Sequence, residues 1–414
     1  MTSCDTAQMV LPPGPVSLAD AVAARDLLGE VITRTPMLHS WALSERLGGP
    51  VYLKCENLQR TGSFKVRGAY ARIARLPAAQ RAKGVVAASA GNHAQGVAFA
   101  AHVLGTKATV VMPEGAPLPK VEATRSYGAD VVFHDSGVDG CITAALALAE
   151  DLGGVFIHPF DHQDTVAGNA TLGMEIVEQC PQVRTIAVSV GGGGLISGVA
   201  VGARGSDPAI RVVGVQAEAA APYPVSLAAG HPVPVELAPT MADGIAIARP
   251  GDLTFGIVAA LVEQVLTVSE DTLSRALLLC LERAKQLVEP AGAAPVAALL
   301  DHPHAFEPPV VLVLSGGNID PMLLSKVLRY GLTAAGRYLA FRCRIPDRPG
   351  GLATLLAALA GLGANVLGVM HERVTPRLRL EEVEVALQIE TRGPVHSDEV
   401  ISRLRGAGYT LIFS

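Results

Sequence analysis

Short apolar runs alternate with alanine-rich stretches along most of the chain, between residues 51 and 328. The apolar runs are rich in β-branched residues and predict strands at 51–57, 85–89, 108–112, 130–134, 155–159, 185–190, 211–216, 265–269 and 309–315. The stretches between them predict helices, among them 64–76, 93–104, 120–127, 138–151 and 271–287. Apolar strands that alternate with helices indicate an α/β fold of parallel sheets covered on both faces, and ligands bind at the carboxyl ends of such strands.

The pattern changes near residues 330–337. Beyond it the order is strand, helix, strand, strand, helix and strand, at 338–345, 351–362, 364–373, 381–391, 397–408 and 409–414. This βαββαβ order is typical of a ferredoxin-like α+β domain. We therefore expect a main region over residues 1–330, in which a smaller subdomain of about 51–155 is inserted in a larger one. A linker at 331–336 and a separate domain at 337–414 complete the predicted chain.

Half of the residues are apolar (50%), so membrane spans must be considered. Three stretches without formal charge are about as long as a span, at 85–106, 185–203 and 351–370. Each contains glycines or polar side chains and predicts a buried strand and helix joined by a turn, so no membrane partner is expected. The net charge of −5 includes no basic block, which argues against a nucleic-acid partner.

The six cysteines are scattered and form no CxxC pair, which is typical of a reducing compartment without disulfides or a zinc site. The first residues show no basic segment followed by an apolar one, so no signal peptide is expected, and we predict a cytoplasmic protein. His158 and His162 have a spacing that metal ligands use. Pro159 between them disfavours a common helical face, and we predict no metal site.

Lys65 lies in TGSFKVRG, residues 61–68, after a glycine-serine turn. We expect it in the first turn of a helix, with Ser63 as the cap. The positive end of the helix dipole and the neighbouring Arg67 would lower the pKa of its amine, which suits a nucleophile or a base. The alternative for any lone lysine is a solvated surface position.

Four consecutive glycines, Gly191 to Gly194, separate an apolar strand from an apolar helix. Backbone N–H groups in such a turn form a phosphate cradle at the start of a helix. A dinucleotide fingerprint is excluded, because Ser197 stands where GxGxxG needs glycine or alanine. The alternative is a flexible loop.

Three more small-residue segments lie at strand or helix ends. SAGNHAQG, residues 89–96, offers the free N–H groups of a helix start to a carboxylate, or forms an ordinary turn capped by Asn92. VEPAGAA, residues 288–294, and SGGNID, residues 315–320, each have an ordinary turn as their alternative. No single segment decides the function.

Together, SFKVRGA, SAGNHAQG, GGGGL, EPAGAA and SGGN, in this order, resemble the serine/threonine dehydratase family of fold-type II pyridoxal-phosphate (PLP) enzymes. The resemblance covers about residues 36–330. It implies a tryptophan synthase β-like core of two parallel-sheet subdomains, and PLP as the cofactor. The implied reaction is dehydration and deamination of L-threonine, and of L-serine, to a 2-oxo acid and ammonia. The resemblance does not distinguish an enzyme of isoleucine synthesis from an enzyme of threonine breakdown.

The resemblance also implies roles for individual residues. Lys65 forms the internal Schiff base and later moves the Cα proton, Phe64 packs beside the ring, and Asn92 binds the ring's 3-oxygen. Ser315 meets the pyridine nitrogen. The phosphate is held by Gly191, Gly192, Gly193, Gly194 and the amide of Leu195. The substrate carboxylate is cradled by Ser89, Gly91, Asn92 and His93.

A neutral serine at the pyridine nitrogen makes the ring a weaker electron sink than an aspartate would. That favours loss of the β-hydroxyl over reprotonation elsewhere. One motif departs from the family: Gly168-Asn169-Ala170-Thr171 replaces GQGT, at positions expected to touch none of these roles. Relatives that bind a divalent cation carry acidic residues where Gln216 and Pro222 stand, which also predicts no metal.

Two other functions compete with the dehydratase interpretation. Serine racemase, or another fold-type II activity, is the first, but a racemase needs a second base where Ala90 stands, and alanine carries no proton. The second is an amino-acid sensor with an inactive PLP domain. The intact Lys65, Asn92, glycine run and Ser315 argue against that alternative.

The C-terminal IPDRPGGL, residues 345–352, followed by the βαββαβ order, resembles an ACT domain. The resemblance implies paired modules that bind an amino-acid effector, with isoleucine or valine as candidates. It also implies a homodimer or homotetramer. The alternative is a dimerisation domain without a ligand.

Overall fold

The structure, a computed structural model, describes residues 14–135, 138–372 and 381–413. The chain divides into two compact units, one ending at Pro321 and the other beginning at Met322. None of the described helices is both long enough and apolar enough to cross a bilayer. The predicted strand ends Arg373 and Ser414 lie outside the described residues.

The first unit alternates strands with helices. Its strands are β1 (Met37–His39), β2 (Val51–Cys55), β3 (Val85–Ala88), β4 (Ala108–Pro113), β5 (Asp130–His134), β6 (Val155–Phe156), β7 (Thr185–Ser189), β8 (Arg211–Ala217), β9 (Gln264–Val268) and β10 (Val310–Leu314). Its helices are α1 (Leu18–Leu28), α2 (Trp41–Leu47), α3 (Lys65–Ala74), α4 (Ala78–Arg81), α5 (Asn92–Val103), α6 (Leu118–Ser126), α7 (Val138–Leu152), α8 (Gln163–Gln179), α9 (Gly194–Ser206), α10 (Pro222–Ala229), α11 (Asp252–Leu261), α12 (Glu270–Leu279) and α13 (Pro290–Asp301). The next helix, α14 (Pro321–Ala334), begins at the last residue of this unit and otherwise belongs to the second unit.

Two sheets organise this unit. The larger has the order β1-β2-β10-β7-β8-β9 and is parallel except for the β1–β2 pair. The smaller has the order β5-β4-β3-β6 and is parallel throughout. Strands β7 and β10 are buried along their whole length, as predicted for central strands of a covered parallel sheet. The predicted fold-type II core is confirmed.

The second unit has its own sheet and core. Its elements after α14 are β11 (Tyr338–Pro346), α15 (Gly351–Gly361), β12 (Asn365–Glu372), β13 (Glu382–Glu390), α16 (Pro394–Gly406) and β14 (Leu411–Ile412). The strands are antiparallel in the order β12-β13-β11-β14. Alternate residues of β13 are buried against the two helices, which is the predicted one-sided pattern. The predicted ferredoxin-like plan of an ACT domain is confirmed.

Some boundaries differ from the sequence pattern. Strand β2 pairs with β10, so it belongs to the larger sheet, whereas the smaller subdomain was expected over 51–155 and its sheet begins at Val85. An apolar run shows that a strand is buried but does not show which strand pairs with it. The expected linker 331–336 is helical as far as Ala334, because α14 continues through it. Helix α12 ends at Leu279, and a single π-turn follows it to Ala284.

Candidate active site

A pocket of about 290 Å³ lies at the carboxyl ends of strands from both sheets of the first unit. Ser89 follows β3, the glycine run follows β7, and Ser315 follows β10. The predicted site residues all line this one pocket: Phe64, Lys65, Ser89, Gly91, Asn92, His93, Gly191, Gly192, Gly193, Gly194, Leu195 and Ser315. Segments separated by as many as about 250 positions are thus brought together by the crossover topology.

Lys65 is the first residue of α3 and points its Nζ at the carbonyl oxygen of Pro159, 3.0 Å away. Burial lowers the pKa of this amine to about 8, and the nearby Glu289 carboxyl opposes that shift. The expected contribution of Arg67 is wrong, because Arg67 faces the interior on the other side of the helix. Ser63 is also not the cap, since Phe64 occupies that position and makes no side-chain capping bond.

Arg67 fixes α3 from behind the pocket. Its guanidinium is fully buried and binds Glu56, at 2.8 and 2.9 Å, and Glu175, at 2.7 and 3.0 Å. Lys54 also donates to Glu175, at 2.7 Å. Two buried cations thus balance two buried carboxylates, and the hydrogen bonds offset part of their desolvation.

The glycine turn leaves no space for side chains. A Cβ on Gly192 would overlap the Phe160 ring, and one on Gly193 would overlap the Tyr223 hydroxyl. Gly193 also has a φ of 103°, in the region that glycine favours. The first intrahelical bond of α9 runs from the Ser197 amide to the Gly193 carbonyl, at 2.9 Å. The amides of Gly194 and the next two residues therefore have no partner within the helix.

Residues from three other elements hold this turn in shape. The carbonyl of Gly192 accepts bonds from the hydroxyls of Thr254, at 2.6 Å, and Tyr223, at 3.3 Å. Asn169 donates to the carbonyl of Gly194, at 3.0 Å. The expectation that the GNAT segment touches none of the site residues is therefore wrong. Neither sequence spacing nor residue type indicated this support, because it comes from the packing of α8 on α9.

The turn before α5 is built by its own side chains. The Gly91 amide donates to the Ser89 hydroxyl, at 3.1 Å, and Gly91 rather than Asn92 is the cap of the helix. His93 is buried, and its Nε2 lies 2.8 Å from the carbonyl oxygen of Ile157. Burial, followed by the charge on Lys65, lowers the pKa of His93 to about 3. Its imidazole is therefore neutral and donates inward.

Asn92 is held at both ends of its side-chain amide. Its Oδ1 accepts from Asn318, at 2.8 Å, and its Nδ2 donates to Glu289, at 2.7 Å. Glu289 is buried in the pocket wall, and its pKa is raised to about 7, mainly by burial and then by Asp243. Glu289 and Asn318 belong to the EPAGAA and SGGN segments, and the sequence analysis gave neither of these two residues a role.

Ser315 ties the end of β10 to the start of α3. Its carbonyl accepts the Phe64 amide, at 3.1 Å, and its side chain lines the pocket. Across the pocket, Lys120 of α6 forms a 3.0 Å ion pair with Asp243. Sequence reasoning missed this pair, because the two residues are 123 positions apart and neither lies in a recognisable motif.

Gln216 uses both ends of its amide within the protein, donating to the Val190 carbonyl, at 3.1 Å, and accepting from the Tyr223 amide, at 3.0 Å. His158 accepts the Asp161 amide, and His162 caps α8. Among the described residues, no group of three or more His, Cys, Asp or Glu side chains is arranged to hold a metal ion.

The donor set of the pocket fits PLP. A phosphate needs backbone N–H groups in a turn without side chains, which the 191–195 segment supplies. An aldehyde reacts with a neutral amine, and burial lowers the pKa of Lys65 to about 8, so part of its amine is neutral near physiological pH. An oxygen on an aromatic ring needs a fixed donor, and Asn92 Nδ2 is held in place for one.

Comparison with known proteins agrees with this geometry. The model of the family described as pyridoxal-phosphate dependent enzyme matches residues 28–316. The L-threonine ammonia-lyase of Geobacter sulfurreducens is 46% identical over 387 residues, which is 93% of this chain and 96% of that protein.

Two solved structures are similar to most of this chain. The T.th. threonine deaminase has a TM-score of 0.70 and 43% identity, over 73% of this chain and 99% of that one. Maize serine racemase has a TM-score of 0.71 and 34% identity, over 77% of this chain and 98% of that one. With its family model, its full-length relative and its five motifs in agreement, the chain belongs to the pyridoxal-phosphate dependent enzymes, in their serine/threonine dehydratase family.

Proposed function

We propose that the protein is a PLP-dependent L-threonine ammonia-lyase, which removes water and then ammonia from L-threonine to leave 2-oxobutanoate. L-Serine would give pyruvate in the same way. The observation that carries this proposal is the meeting of the Lys65 amine and the side-chain-free glycine turn in one pocket. Sequence identity along almost the full length of an L-threonine ammonia-lyase supports it.

Different residues of the pocket would bind different parts of the cofactor. Lys65 would bond it covalently, with Phe64 beside its ring and Asn92 as donor to the ring's 3-oxygen. Ser315 would meet the pyridine nitrogen. The phosphate would be held by the amides of Gly191, Gly192, Gly193, Gly194 and Leu195. When bound, PLP withdraws electrons from the substrate's Cα and so makes its proton acidic.

Lys65 is then the base that takes the Cα proton. Its lowered pKa keeps much of the amine neutral near pH 8, as a proton acceptor requires. The substrate carboxylate would be held by the turn of Ser89, Gly91, Asn92 and His93. The neutral imidazole of His93 points to Ile157, so the hydrogen bonds to the carboxylate come from the backbone at the start of α5.

The hydroxyl of Ser315 would be a neutral partner for the pyridine nitrogen. It would not hold a proton there as a carboxylate does, so the bound ring would withdraw less electron density from Cα. Loss of the β-hydroxyl would then be favoured over protonation at another carbon. The pocket therefore favours elimination over transamination.

Serine racemase is the second candidate, because maize serine racemase has the same fold. Racemisation needs an acid–base group on the face of the substrate opposite Lys65. Ala90 lines the pocket at the position from which the family supplies that group. An alanine there favours elimination over racemisation.

We further propose that the second unit binds isoleucine or valine. The turn 347–351 precedes α15. The Gly351 amide donates to the Arg348 carbonyl, at 3.1 Å, and the Thr354 amide donates to the Gly350 carbonyl, at 2.9 Å. The amides of Leu352 and Ala353, which lie between them, therefore have no partner within the helix and would bind a carboxylate. Paired copies of this unit in a homodimer or homotetramer would allow effector binding to shift a quaternary equilibrium. We also place the enzyme in the cytoplasm, because the described cysteines are all buried and none of them forms a disulfide.

A 2-oxo acid assay tests the proposed function. The purified protein with PLP should release 2-oxobutanoate from L-threonine and pyruvate from L-serine, and isoleucine or valine should change the rate. Chiral analysis of the remaining serine should show no D-serine. Rapid racemisation without 2-oxo acid would reject the lyase, whereas an unchanged rate with both effectors would reject only the regulatory proposal.

A further inference from the structure

A chain of hydrogen bonds runs along the pocket wall and ends at Asn92. Asn318 Nδ2 donates to the carbonyl of Thr61, at 2.6 Å, and to Asn92 Oδ1, at 2.8 Å. Both hydrogens of the Asn318 amide nitrogen are therefore used on oxygen acceptors. Because that end of Asn318 can only donate, it must meet the oxygen end of Asn92.

Glu289 takes the other end of the same amide. Asn92 Nδ2 donates to Glu289 Oε1, at 2.7 Å. Asn92 Oδ1 already accepts from Asn318, and the ionised carboxylate of Glu289 only accepts hydrogen bonds, so Glu289 is met by the nitrogen end of Asn92. The two partners thus impose the same orientation. Of the two Nδ2 hydrogens, one is bound by Glu289 and the other is left for a pocket ligand.

Two glycines make room for the two partners. A Cβ on Gly316 would overlap Glu289 Oε1, and a Cβ on Gly62 would overlap Asn318 Oδ1. Gly62 also has a φ of 71°, which glycine favours. Gly62, which precedes Lys65 by three residues, and Gly316, which follows Ser315, therefore leave space for the side chains that hold Asn92.

We propose that Glu289 and Asn318 are positioning residues, which fix the Asn92 amide so that its free Nδ2–H faces the oxygen on the cofactor ring. This inference rests on the proposed function, in which Asn92 meets that oxygen. It gives a role to Glu289 in the EPAGAA segment and to Asn318 in the SGGN segment. Without the clamp, the amide can turn over and present an oxygen to an oxygen, which costs affinity for the cofactor.

Equilibrium binding of PLP to the apoenzyme, followed by absorbance, tests the proposal without using turnover. Asn318→Asp and Glu289→Ala should each raise the dissociation constant about 10-fold, the effect of losing one hydrogen bond to a charged oxygen. Glu289→Gln keeps an acceptor for Asn92 and should stay within about 3-fold of the native protein.

A double-mutant cycle separates positioning from a general structural effect. If Asn318 acts through Asn92, adding Asn318→Asp to Asn92→Ala should change the dissociation constant by less than about 2-fold. The same holds for Glu289→Ala. Native affinity in both single variants, or an equal loss with and without Asn92, would overturn the proposal. The thermal midpoint of each apoenzyme checks folding, and Asn318→Ala replaces Asn318→Asp if the latter does not fold.

PLP binding by the native apoenzyme is the control, and it distinguishes failure of the proposed function from failure of the positioning roles. A native apoenzyme that binds no PLP would reject the proposed function itself. A native apoenzyme that binds PLP, together with positioning variants that bind it equally well, would reject only the roles of Glu289 and Asn318.

Discussion

Arg67 meets both carboxylate oxygens of Glu175, at 2.7 and 3.0 Å, in the interior between α3 and α8. Arg67 lies two residues after Lys65 on α3, so this pair fixes the helix that carries the reactive amine. A planar guanidinium that binds a carboxylate through two nitrogens holds orientation as well as distance. The position of Lys65 in the pocket therefore depends on contacts on the opposite side of its helix.

Glu175→Ala should destabilise the protein by about 3–5 kcal/mol, because it leaves Arg67 and Lys54 buried with a single carboxylate. The measurement is the free energy of unfolding of the apoenzyme in urea. Glu178→Ala is the matched control on the same helix, where the partly exposed pairs with Arg25 and Arg34 should each contribute less than about 1 kcal/mol. Equal losses in the free energy of unfolding for the two variants would show that the buried network stabilises the protein no more than an exposed ion pair does.

Gly194→Ala should weaken PLP binding by about 10-fold or more, comparable to one lost phosphate hydrogen bond. Its Cβ would lie 2.7 Å from Phe160 Cβ and 2.9 Å from Phe160 Cα, so the turn itself must move. Gly256→Ala in α11 is the control, because no atom lies near its Cβ. Titration of both apoenzymes with PLP measures the affinities. Native affinity in Gly194→Ala would show that the glycine turn does not bind the phosphate.

Uptake of PLP by the apoenzyme should become faster as pH rises and level off above about pH 9. The neutral amine of Lys65 is the reactive form, and its pKa of about 8 lies below the usual 10.5. The neutral fraction grows about 10-fold from pH 7 to pH 9 and then saturates. Stopped-flow absorbance measures the rate, and a small lysine derivative corrects for titration of PLP itself. A rate that still rises tenfold per pH unit at pH 10 would contradict burial as the cause.

His93→Gln should make the protein less sensitive to acid. The folded-state pKa of His93 is about 3, below the ordinary 6.5. Between these two values the unfolded chain binds a proton at His93 and the folded protein does not. This group's stabilisation is complete above pH 6.5 and is lost as pH falls from 6.5 towards 3, by up to about 1.4 kcal/mol per pH unit. Glutamine keeps a donor for the Ile157 carbonyl but does not titrate.

Urea unfolding of both proteins at pH 7, 6 and 5 measures this difference. The native protein should lose more stability than His93→Gln over that range. Parallel losses would show that His93 is not held neutral in the folded protein.

The elements of the fold could be predicted closely from the sequence. Strand β5 was expected at 130–134 and is Asp130–His134, because an apolar run between a helix and a polar turn has clear ends. Strand β1 was missed, since three residues are too few to show a period. The partner of β2 was also hidden, because pairing with β10 joins residues about 260 positions apart.

The motifs predicted which segments meet in the pocket, but not which way their side chains point. Arg67 was expected beside Lys65 and lies behind it, because a helix turns about 100° per residue and its buried face finds Glu56 and Glu175. Asn169 and Glu289 act through contacts with distant segments. Such contacts depend on how whole helices and strands pack together, and a local sequence pattern does not predict that packing.

Borohydride reduction of the PLP-loaded protein, followed by peptide mass spectrometry, tests the central claim most directly. Reduction makes the bond between PLP and its lysine permanent, so the modified residue can be identified. We predict the label on Lys65 and its absence from Lys65→Ala. A label on Lys54 or Lys120 instead, or none on the native protein, would contradict the assignment of this pocket as the site of a PLP-dependent ammonia-lyase.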